Sequence, residues 1–501
     1  MLLIHPPVAK PCEAPAGIAR LAGALRGSGL PCTLVDANLE ALSFLLARPL
    51  TATDTWSSRA RRHLAANLAA LRTPDLYRNP ARYQRAVVDI NRLVELAGRP
   101  HNCLISLANY QESGISPQKS TDLLRNAEQF EKNIYYDYFS RRLPELVNQH
   151  QPNLVGFSLN YLSQAATTFA MIGFFKASYP GLPIVVGGGL VTSWLSNPAW
   201  RNPFAGLIDH LVAGPGEESL LKLLGSKDTV GPAPPSYDGL LRTAYLAPGF
   251  ILPYAASSGC YWNKCSFCPE KVEGNPYLPM PPDQVLAEVT DLVARTRPAL
   301  LHFLDNAISP ALLRALSRQP PGIAWYGFAR ADRQLTDVDF CRALRQAGCV
   351  MLKLGLESGD QGVLDAMDKG IDLDMVSRTL AALRQAGIAT YVYLLFGTPA
   401  EALPEAHRTL EFVSRHSAAI TFLNLAIFNM PVNSPEAQHL FVMDFYEGDL
   451  SLYTDFIHPR GWNRHAVRSF LDKEFKRHPK IAAILRRDPF LFTSNHAPFF
   501  C

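Results

Sequence analysis

Three cysteines stand close together near the middle of the chain, in the stretch SSGCYWNKCSFCPE (257–270). Cys260, Cys265 and Cys268 form a C-x4-C-x2-C array between a short apolar run and a long amphipathic pattern, which predicts a metal-binding loop after a β-strand. A structural zinc site takes four protein ligands, and no second cysteine pair or nearby histidine supplies a fourth. A cubane iron–sulfur cluster can use three thiolates and leave one iron open for substrate. The presence of three cysteines rather than four ligands favours such a cluster, with a zinc site or free buried thiols as the alternatives.

The chain as a whole reads as an ordinary globular protein of several domains, with 501 residues, of which 48% are hydrophobic and 18% charged. A net charge of +4 without a lysine-rich run or basic helix speaks against nucleic-acid binding. No apolar segment approaches the ~20 residues of a membrane span, and the start MLLIHPP does not resemble a signal peptide. Nine cysteines in such a chain suggest reduced thiols, so we expect a cytoplasmic protein.

A first domain is predicted over residues 1–236, ending in the Pro/Gly-rich stretch 228–237. Its short strands are mostly apolar without alternation, which is typical of a doubly wound parallel sheet covered by helices on both faces. Residues 41–151 are predicted to form a mainly helical insertion. The predicted strands cover 2–4, 32–35, 154–158, 184–186 and 210–212, and helix patterns cover 17–26 and 164–178.

The last three of these strands each end in small or polar residues. Ligands of open parallel sheets bind at the carboxyl ends of the strands, and glycine lets a large flat ligand approach the backbone. We therefore expect a ligand site there, while a fold that binds nothing remains the alternative. The candidate residues are Ser158, Asn160, Gly187, Gly188, Gly189, Gly214 and Gly216.

A second domain over residues 237–430 is predicted to form a partial (β/α)6 barrel. With the strand before the cysteines, apolar runs at 300–304, 324–328, 351–356, 390–396 and 421–427 make six strands, fewer than the eight of a complete barrel. Polar or small residues again follow the strands. They are Asp305, Asn306, Arg330, Glu357, Ser358, Gly397 and Asn429.

The cysteine loop resembles that of the radical S-adenosylmethionine (SAM) superfamily, in which C-x3-C-x2-C is usual and an aromatic residue precedes the last cysteine. Phe267 fills that aromatic place, and one extra residue separates the first two cysteines here. The resemblance implies a [4Fe-4S] cluster and bound SAM. It places Asp305 and Asn306 at the SAM amino group, Arg330 at the carboxylate, Glu357 and Ser358 at the ribose, and Gly397 beside the adenine. The alternatives are purely structural roles, namely a helix start at Glu357 and Ser358 and a turn at Gly397.

The first domain resembles the cobalamin-binding Rossmann-like domain that is fused to many radical SAM enzymes. The resemblance rests on the order of HPP, Ser-x-Asn, IVVGGGLVT and AGPGEES along residues 1–224. The family's Asp-x-His-x-x-Gly loop is absent, and His5 stands too early to replace its histidine. The resemblance therefore implies cobalamin without a histidine ligand from the protein.

Residues 431–501 are predicted to form a small C-terminal cap of helices and aromatic loops. Its last stretch, PFLFTSNHAPFFC, is expected to pack across the barrel mouth. His496 is a candidate proton donor or substrate contact, with a structural histidine as the alternative.

Together the resemblances imply cobalamin-dependent methylation of a small molecule at an unactivated carbon or a phosphorus. One alternative is transfer of the 3-amino-3-carboxypropyl group of SAM, without cobalamin, to a thiol or trivalent arsenic. Another is a non-catalytic iron–sulfur or zinc protein. The expected partners are a small-molecule substrate and an electron donor such as flavodoxin or ferredoxin, without nucleic acid or membrane.

Overall fold

The computed structural model describes residues 1–50, 54–226, 233–241, 244–444, 447–489 and 496–500. Its contacts divide the chain into two compact units, with the main division between Ile251 and Leu252, and the later segment Glu447–Leu452 belongs to the first unit. This division falls after the predicted domain boundary at Ser236. Residues 228–232 of the predicted linker lie outside the described residues. The physical cause is visible at Leu246, whose backbone N–H donates to the carbonyl of Pro11 at 2.8 Å. The segment after the linker therefore packs with the first unit.

The first unit is built on a five-stranded parallel sheet in the order β2-β1-β5-β6-β7. The order reverses beside β1, which creates the switch point where ligands of such sheets bind. β3 and β4 form a separate antiparallel hairpin. The strands are β1 (Leu2–His5), β2 (Thr33–Asp36), β3 (Cys103–Ile105), β4 (Tyr110–Glu112), β5 (Val155–Ser158), β6 (Ile184–Gly187) and β7 (His210–Val212).

Helices cover this sheet and make up most of the insertion between β2 and β5. The hairpin β3–β4 within the insertion differs from the mainly helical prediction, and its pairing buries Cys103, Ile105 and Tyr110. The helices are α1 (Ala16–Gly27), α2 (Ala37–Ala47), α3 (Thr55–Ala70), α4 (Pro74–Tyr77), α5 (Pro80–Gly98), α6 (Ser120–Glu128), α7 (Tyr136–His150), α8 (Leu162–Ser178), α9 (Gly189–Leu195) and α10 (Glu217–Leu223), with 3-10 turns at Arg99–His101 and Phe130–Lys132.

The second unit contains a six-stranded parallel sheet in the order β8-β11-β12-β13-β14-β15, which confirms the predicted partial barrel. Its central strand β13 is buried almost throughout, as expected for a parallel strand covered on both faces. The strands of this unit are β8 (Ile251–Tyr254), β9 (Ser257–Ser258), β10 (Leu278–Pro279), β11 (Leu300–Phe303), β12 (Trp325–Ala329), β13 (Cys349–Glu357), β14 (Ala389–Phe396), β15 (Phe422–Ile427), β16 (Met430–Pro431), β17 (Val442–Asp444) and β18 (Tyr453–Phe456).

The helices of the second unit alternate with these strands as predicted. A typical start is α13, where Ser309 accepts a hydrogen bond from the N–H of Leu312 and Pro310 occupies the first turn. The helices are α11 (Pro269–Val272), α12 (Pro282–Thr296), α13 (Pro310–Arg318), α14 (Val338–Gln346), α15 (Gln361–Ala366), α16 (Leu373–Ala386), α17 (Leu403–His416), α18 (Pro435–His439), α19 (Arg464–Phe470) and α20 (Pro479–Leu485), with 3-10 turns at Gln334–Thr336 and Ala497–Phe500 and a π-helix at Leu471–Phe475.

The C-terminal segment is less helical than predicted. β16, β18 and β17 form a small antiparallel sheet that the sequence did not suggest. Its strands are two to four residues long, and β17 is exposed throughout. The sequence therefore has no alternating apolar pattern that would indicate β17. Within the described ranges, no helix combines the length and the hydropathy that are needed to cross a bilayer.

Candidate active site at the cysteine loop

The cysteine loop begins directly after β8 and β9 at the carboxyl end of the six-stranded sheet. β9 pairs with β10, so the two ends of the loop are held together by an antiparallel ribbon. Gly259 precedes Cys260 with φ +70°, and a Cβ there would lie 2.4 Å from the carbonyl oxygen of Pro276. Only glycine fits this turn, because a side chain would meet backbone in a left-handed conformation.

Asp305 and Asn306, which follow β11, both hold the segment that leads into the loop. The carboxylate of Asp305 accepts hydrogen bonds from the N–H of Ala256 at 3.0 Å and from Oγ of Ser257 at 2.5 Å. Nδ2 of Asn306 donates to the carbonyl of Gly259 at 3.2 Å. Asp305 is 3% exposed, and this burial raises the pKa of its carboxyl group. These contacts shape the loop, and the predicted contact with the SAM amino group stays a prediction.

The three cysteines lie in different surroundings. Cys265 is buried, whereas Cys260 and Cys268 are half-buried. The loop closes through the N–H of Cys268, which donates to the carbonyl of Cys265 at 3.3 Å, and α11 starts at the next residue. Burial raises the pKa of the Cys265 and Cys268 thiols, although Lys369 and Arg330 oppose the shift at Cys265. Thiolates at these positions would therefore need a positive partner.

Two cations supply positive charge beside Cys265. Nη1 of Arg330 lies 4.0 Å from Sγ of Cys265, and its Nη2 donates to the carbonyl oxygen of Lys369. Nζ of Lys369 lies 5.5 Å from the centre of the Phe267 ring. The same ammonium group forms a salt bridge with Glu357 at 2.7 Å, and the two side chains are only 7% and 13% exposed.

Glu357 ends β13 at a register shift and has φ +66°, so its side chain leaves the regular path of the strand. A Cβ at Gly355 would lie 2.6 Å from Oε1 of Glu357 and 2.8 Å from Nζ of Lys369, so glycine makes room for this ion pair. Ser358 is fully buried, and its Oγ accepts from the N–H of Asp360 at 3.1 Å. The cap of α15 is Asp360 rather than Ser358.

Gly397, which follows β14, borders a cavity of about 410 Å³. Its N–H donates to Oε2 of Glu401 at 2.5 Å, and the same oxygen accepts from Nε1 of Trp462 at 2.9 Å. Glu401 is fully buried, and this burial raises the pKa of its carboxyl group to about 7. The cavity lies where the adenine of SAM is predicted, at the carboxyl ends of β14 and β15. Aromatic and apolar residues contribute much of its wall, among them Phe428, Phe456, Trp462, Ile427 and Val467.

His496 is not brought together with the cysteine loop. It is fully buried, and its ring centre lies 4.4 Å from that of Tyr391 and 4.5 Å from that of Phe422. Tyr391 stands five residues before the end of β14, or about 16 Å from the carboxyl edge of the sheet. The predicted packing of this segment across the barrel mouth is therefore wrong for the described residues 496–500, because the aromatic side chains that receive His496 lie near the amino ends of the strands. Residues 490–495 and Cys501 lie outside the described residues.

In the first unit, the predicted turn residues gather at the carboxyl edge of the parallel sheet. Nδ2 of Asn160 donates to Oγ of Ser158 at 3.0 Å, and its Oδ1 accepts from the N–H of Gly189 at 3.0 Å. The turn after β7 is hydrogen-bonded to α9, since the N–H of Gly214 donates to Oγ1 of Thr192 at 2.9 Å. The remaining members are Gly187 at the end of β6, Gly188 before α9 and Gly216 before α10.

Gly188 and Gly214 both have positive φ, at +110° and +66°. A Cβ at Gly188 would lie 2.5 Å from the carbonyl oxygen of Leu159, whereas a Cβ at Gly214 would meet nothing within 4 Å. The first glycine thus closes a tight turn, and the second faces open space in which a ligand could approach the backbone. His5, at the same edge at the end of β1, is buried, and its Nδ1 has no hydrogen-bond partner among the described residues.

Three residues at the site were not predicted from the sequence: Lys369, Trp262 and Glu401. Lys369 reaches Glu357 across a helix and a turn, which no periodic pattern reveals. Trp262, whose ring centre lies 4.4 Å from Cζ of Arg330, could be seen in the sequence only as part of the spacer between the cysteines. Glu401 follows Gly397 by four residues, and a carboxylate so close to a strand-end glycine was the one feature that pointed to it.

Residues 254–413 match the family model described as the Radical SAM superfamily. The matched range contains the last residue of β8, the cysteine loop and four complete strands of the parallel sheet, β11 to β14. Residues 254–413 therefore carry a radical SAM domain.

The chain is also similar to two proteins whose solved structures contain bound cobalamin. One is the radical SAM methyltransferase TsrM from Kitasatospora setae with cobalamin and a [4Fe-4S] cluster bound, with 17% identity, a TM-score of 0.52, and coverage of 88% of this chain and 77% of that chain. The other is the cobalamin-dependent SAM radical enzyme OxsB with aqua-cobalamin bound, with 15% identity, a TM-score of 0.54, and coverage of 70% of this chain and 64% of that chain. At such identities the likeness concerns the fold alone.

An uncharacterized methyltransferase of Pyrococcus horikoshii is 24% identical over 191 residues. The aligned part spans 36% of this chain and 40% of that protein, less than half of either.

Proposed function

We propose that the protein methylates a small molecule with SAM, using a [4Fe-4S] cluster held by Cys260, Cys265 and Cys268 and cobalamin held by the first unit. The observation that carries the proposal is the cysteine loop at the carboxyl end of the parallel sheet, with Arg330 and Lys369 against Cys265. A reductant such as flavodoxin or ferredoxin would supply electrons.

The residues at the loop fit an open cluster better than a zinc ion. A closed zinc site needs four ligands around one ion, and in the described ranges no group of three or more His, Cys, Asp or Glu side chains is arranged to hold a single metal ion. A cubane distributes its thiolates over separate irons, so three spaced cysteines suit it. The cations beside Cys265 offset the negative charge that such thiolates carry. The cluster, when bound, would supply the electron that breaks a carbon–sulfur bond of SAM.

The protein's own groups would then bind and orient SAM. We assign Arg330 to the SAM carboxylate, because a guanidinium can pair with a carboxylate while another of its nitrogens stays near Cys265. Glu357 is assigned to the ribose hydroxyls, with Lys369 holding its carboxylate in place. The cavity beside Gly397 is assigned to the adenine, and its aromatic walls would exclude water from that end of SAM.

The first unit fits cobalamin through its sheet order and its edge of polar and glycine turns. Gly214 faces open space, and the buried Nδ1 of His5 is a polar atom that a ligand at this edge would satisfy. Burial lowers the pKa of His5 to about 4, so its imidazole is neutral near neutral pH. TsrM and OxsB, which share this fold, have cobalamin bound in their solved structures, and this supports the same assignment here.

The test is the iron and cobalt content per chain after anaerobic purification from cells supplied with cobalamin. We expect about four irons and about one cobalt. Cys265→Ala should lose iron, whereas the matched control Cys341→Ala, which removes a fully buried thiol outside the loop, should keep it. Iron without cobalt would contradict the cobalamin part and direct the assay to aminocarboxypropyl transfer. Full iron content in Cys265→Ala would contradict the assignment of the cluster ligands.

A further inference from the structure

The spacer between Cys260 and Cys265 is one residue longer than the usual radical SAM loop, and its residues make contacts of their own. Within it, Asn263 takes a left-handed conformation with φ +44°. The indole of Trp262 packs against Gly370, where a Cβ would lie only 1.9 Å from the ring. Its Nε1 donates to the carbonyl oxygen of Asp368 at 2.9 Å. The indole is thus fixed by a backbone acceptor and by a site that admits only glycine.

The fixed indole supports the guanidinium of Arg330. Cζ of Arg330 lies 4.4 Å from the ring centre of Trp262, within the range of a cation–π contact. Nη2 of the same group donates to the carbonyl of Lys369, and Nη1 faces Sγ of Cys265 at 4.0 Å. Two contacts therefore orient the guanidinium, and the third places its charge at a sulfur that we assign to the cluster.

A merely structural role accounts poorly for this arrangement. Trp262 is only half-buried, so filling the core does not require it. Lys264 also lies over the indole, with Nζ 4.9 Å from the ring centre, but its side chain is exposed to solvent. Of the two cations on the indole, Arg330 is the one that the ring holds against a cysteine.

We propose that Trp262 is a positioning residue that holds the charge of Arg330 beside Cys265 and thereby raises the reduction potential of the cluster. The inference rests on the proposed function, because it requires a cluster on the three cysteines. The potential of an iron–sulfur cluster depends on the charge around it and on hydrogen bonds to its sulfurs. A cation at 4.0 Å from a ligating sulfur favours the reduced cluster, which carries one more negative charge.

The test is an EPR-monitored redox titration of the reconstituted enzyme and four variants. Arg330→Gln and Trp262→Ala should both shift the potential to lower values. Trp262→Phe keeps an aromatic face for the guanidinium and should shift it less than Trp262→Ala. Adding Trp262→Ala to Arg330→Gln should cause no further shift, because the indole acts through the guanidinium. The control is Lys264→Gln, which removes an exposed positive charge from the same loop and should leave the potential nearly unchanged.

The outcomes separate this inference from the proposed function. If the wild-type protein binds no cluster, the proposed function fails. If the cluster forms but Trp262→Ala leaves its potential at the wild-type value, the positioning role is refuted. Additive shifts in the double variant would also overturn it, since the indole would then act independently of Arg330. The iron content of each sample is measured, so that potentials are compared only between proteins with a complete cluster.

Discussion

Asp305 offers the sharpest test of how the fold shapes the cysteine loop. Asp305→Ala removes the acceptor of two hydrogen bonds, from the N–H of Ala256 and from Oγ of Ser257, and leaves both donors without it. A hydrogen bond to a charged group contributes about 1.5–3 kcal/mol. Because the two bonds share one carboxylate and its burial opposes ionisation, we expect a loss near the lower end of their sum, about 3 kcal/mol.

The assay combines denaturant unfolding with hydrogen exchange. The unfolding midpoint should fall, and exchange should accelerate in the peptide that contains Ala256, because its amide is bonded to Asp305 in the native loop. The matched control is Asp291→Ala, which removes an exposed carboxylate paired with Arg295 on α12. Exposed pairs of this kind contribute about 0–1 kcal/mol, so the control should unfold close to the wild type. An Asp305→Ala protein with wild-type midpoint and exchange would refute the reasoning.

Two further predictions concern buried carboxylates at the same edge of the sheet. Lys369→Met leaves Glu357 buried without its partner, which should cost about 3–5 kcal/mol; adding Glu357→Gln should recover part of this, and an unchanged unfolding midpoint in the single variant would count against the ion pair. For Glu401, burial raises the pKa to about 7 from an ordinary 4.5, so the folded state keeps a proton that the unfolded state has lost. The free energy of unfolding should therefore fall as the pH rises between these values, by up to about 1.4 kcal/mol per pH unit. Glu401→Gln should lose this component, and equal pH slopes in variant and wild type would exclude the raised pKa.

Much of the fold could be predicted because its strands and helices differ in local pattern. The strands of both parallel sheets stand out as short apolar runs, and α13 begins at Pro310 directly after Ser309, a pair of residues that commonly starts a helix. The short strands β16, β17 and β18 could not be predicted, because they bury little and their pairing is settled by contacts distant in the sequence.

The position of the candidate residues at the sheet edge was predictable, but their contacts were less so. The rule that ligands bind at strand ends placed Asp305, Arg330, Glu357 and Gly397 at one edge of the sheet. It could not reveal that Asp305 bonds to a segment 48 and 49 residues earlier, or that Lys369 pairs with Glu357. His496 was placed at the wrong end of the sheet, because a polar residue in an aromatic stretch does not indicate which end of the sheet it packs against.

The most direct test of the central claim is the EPR spectrum of the anaerobically reconstituted and reduced protein, recorded with and without SAM. The account predicts a [4Fe-4S] signal that changes when SAM is added, because three cysteines leave one iron open to it. The signal should be lost in Cys265→Ala and kept in Cys341→Ala. A wild-type protein without such a signal, or with one that persists in Cys265→Ala, would contradict the account.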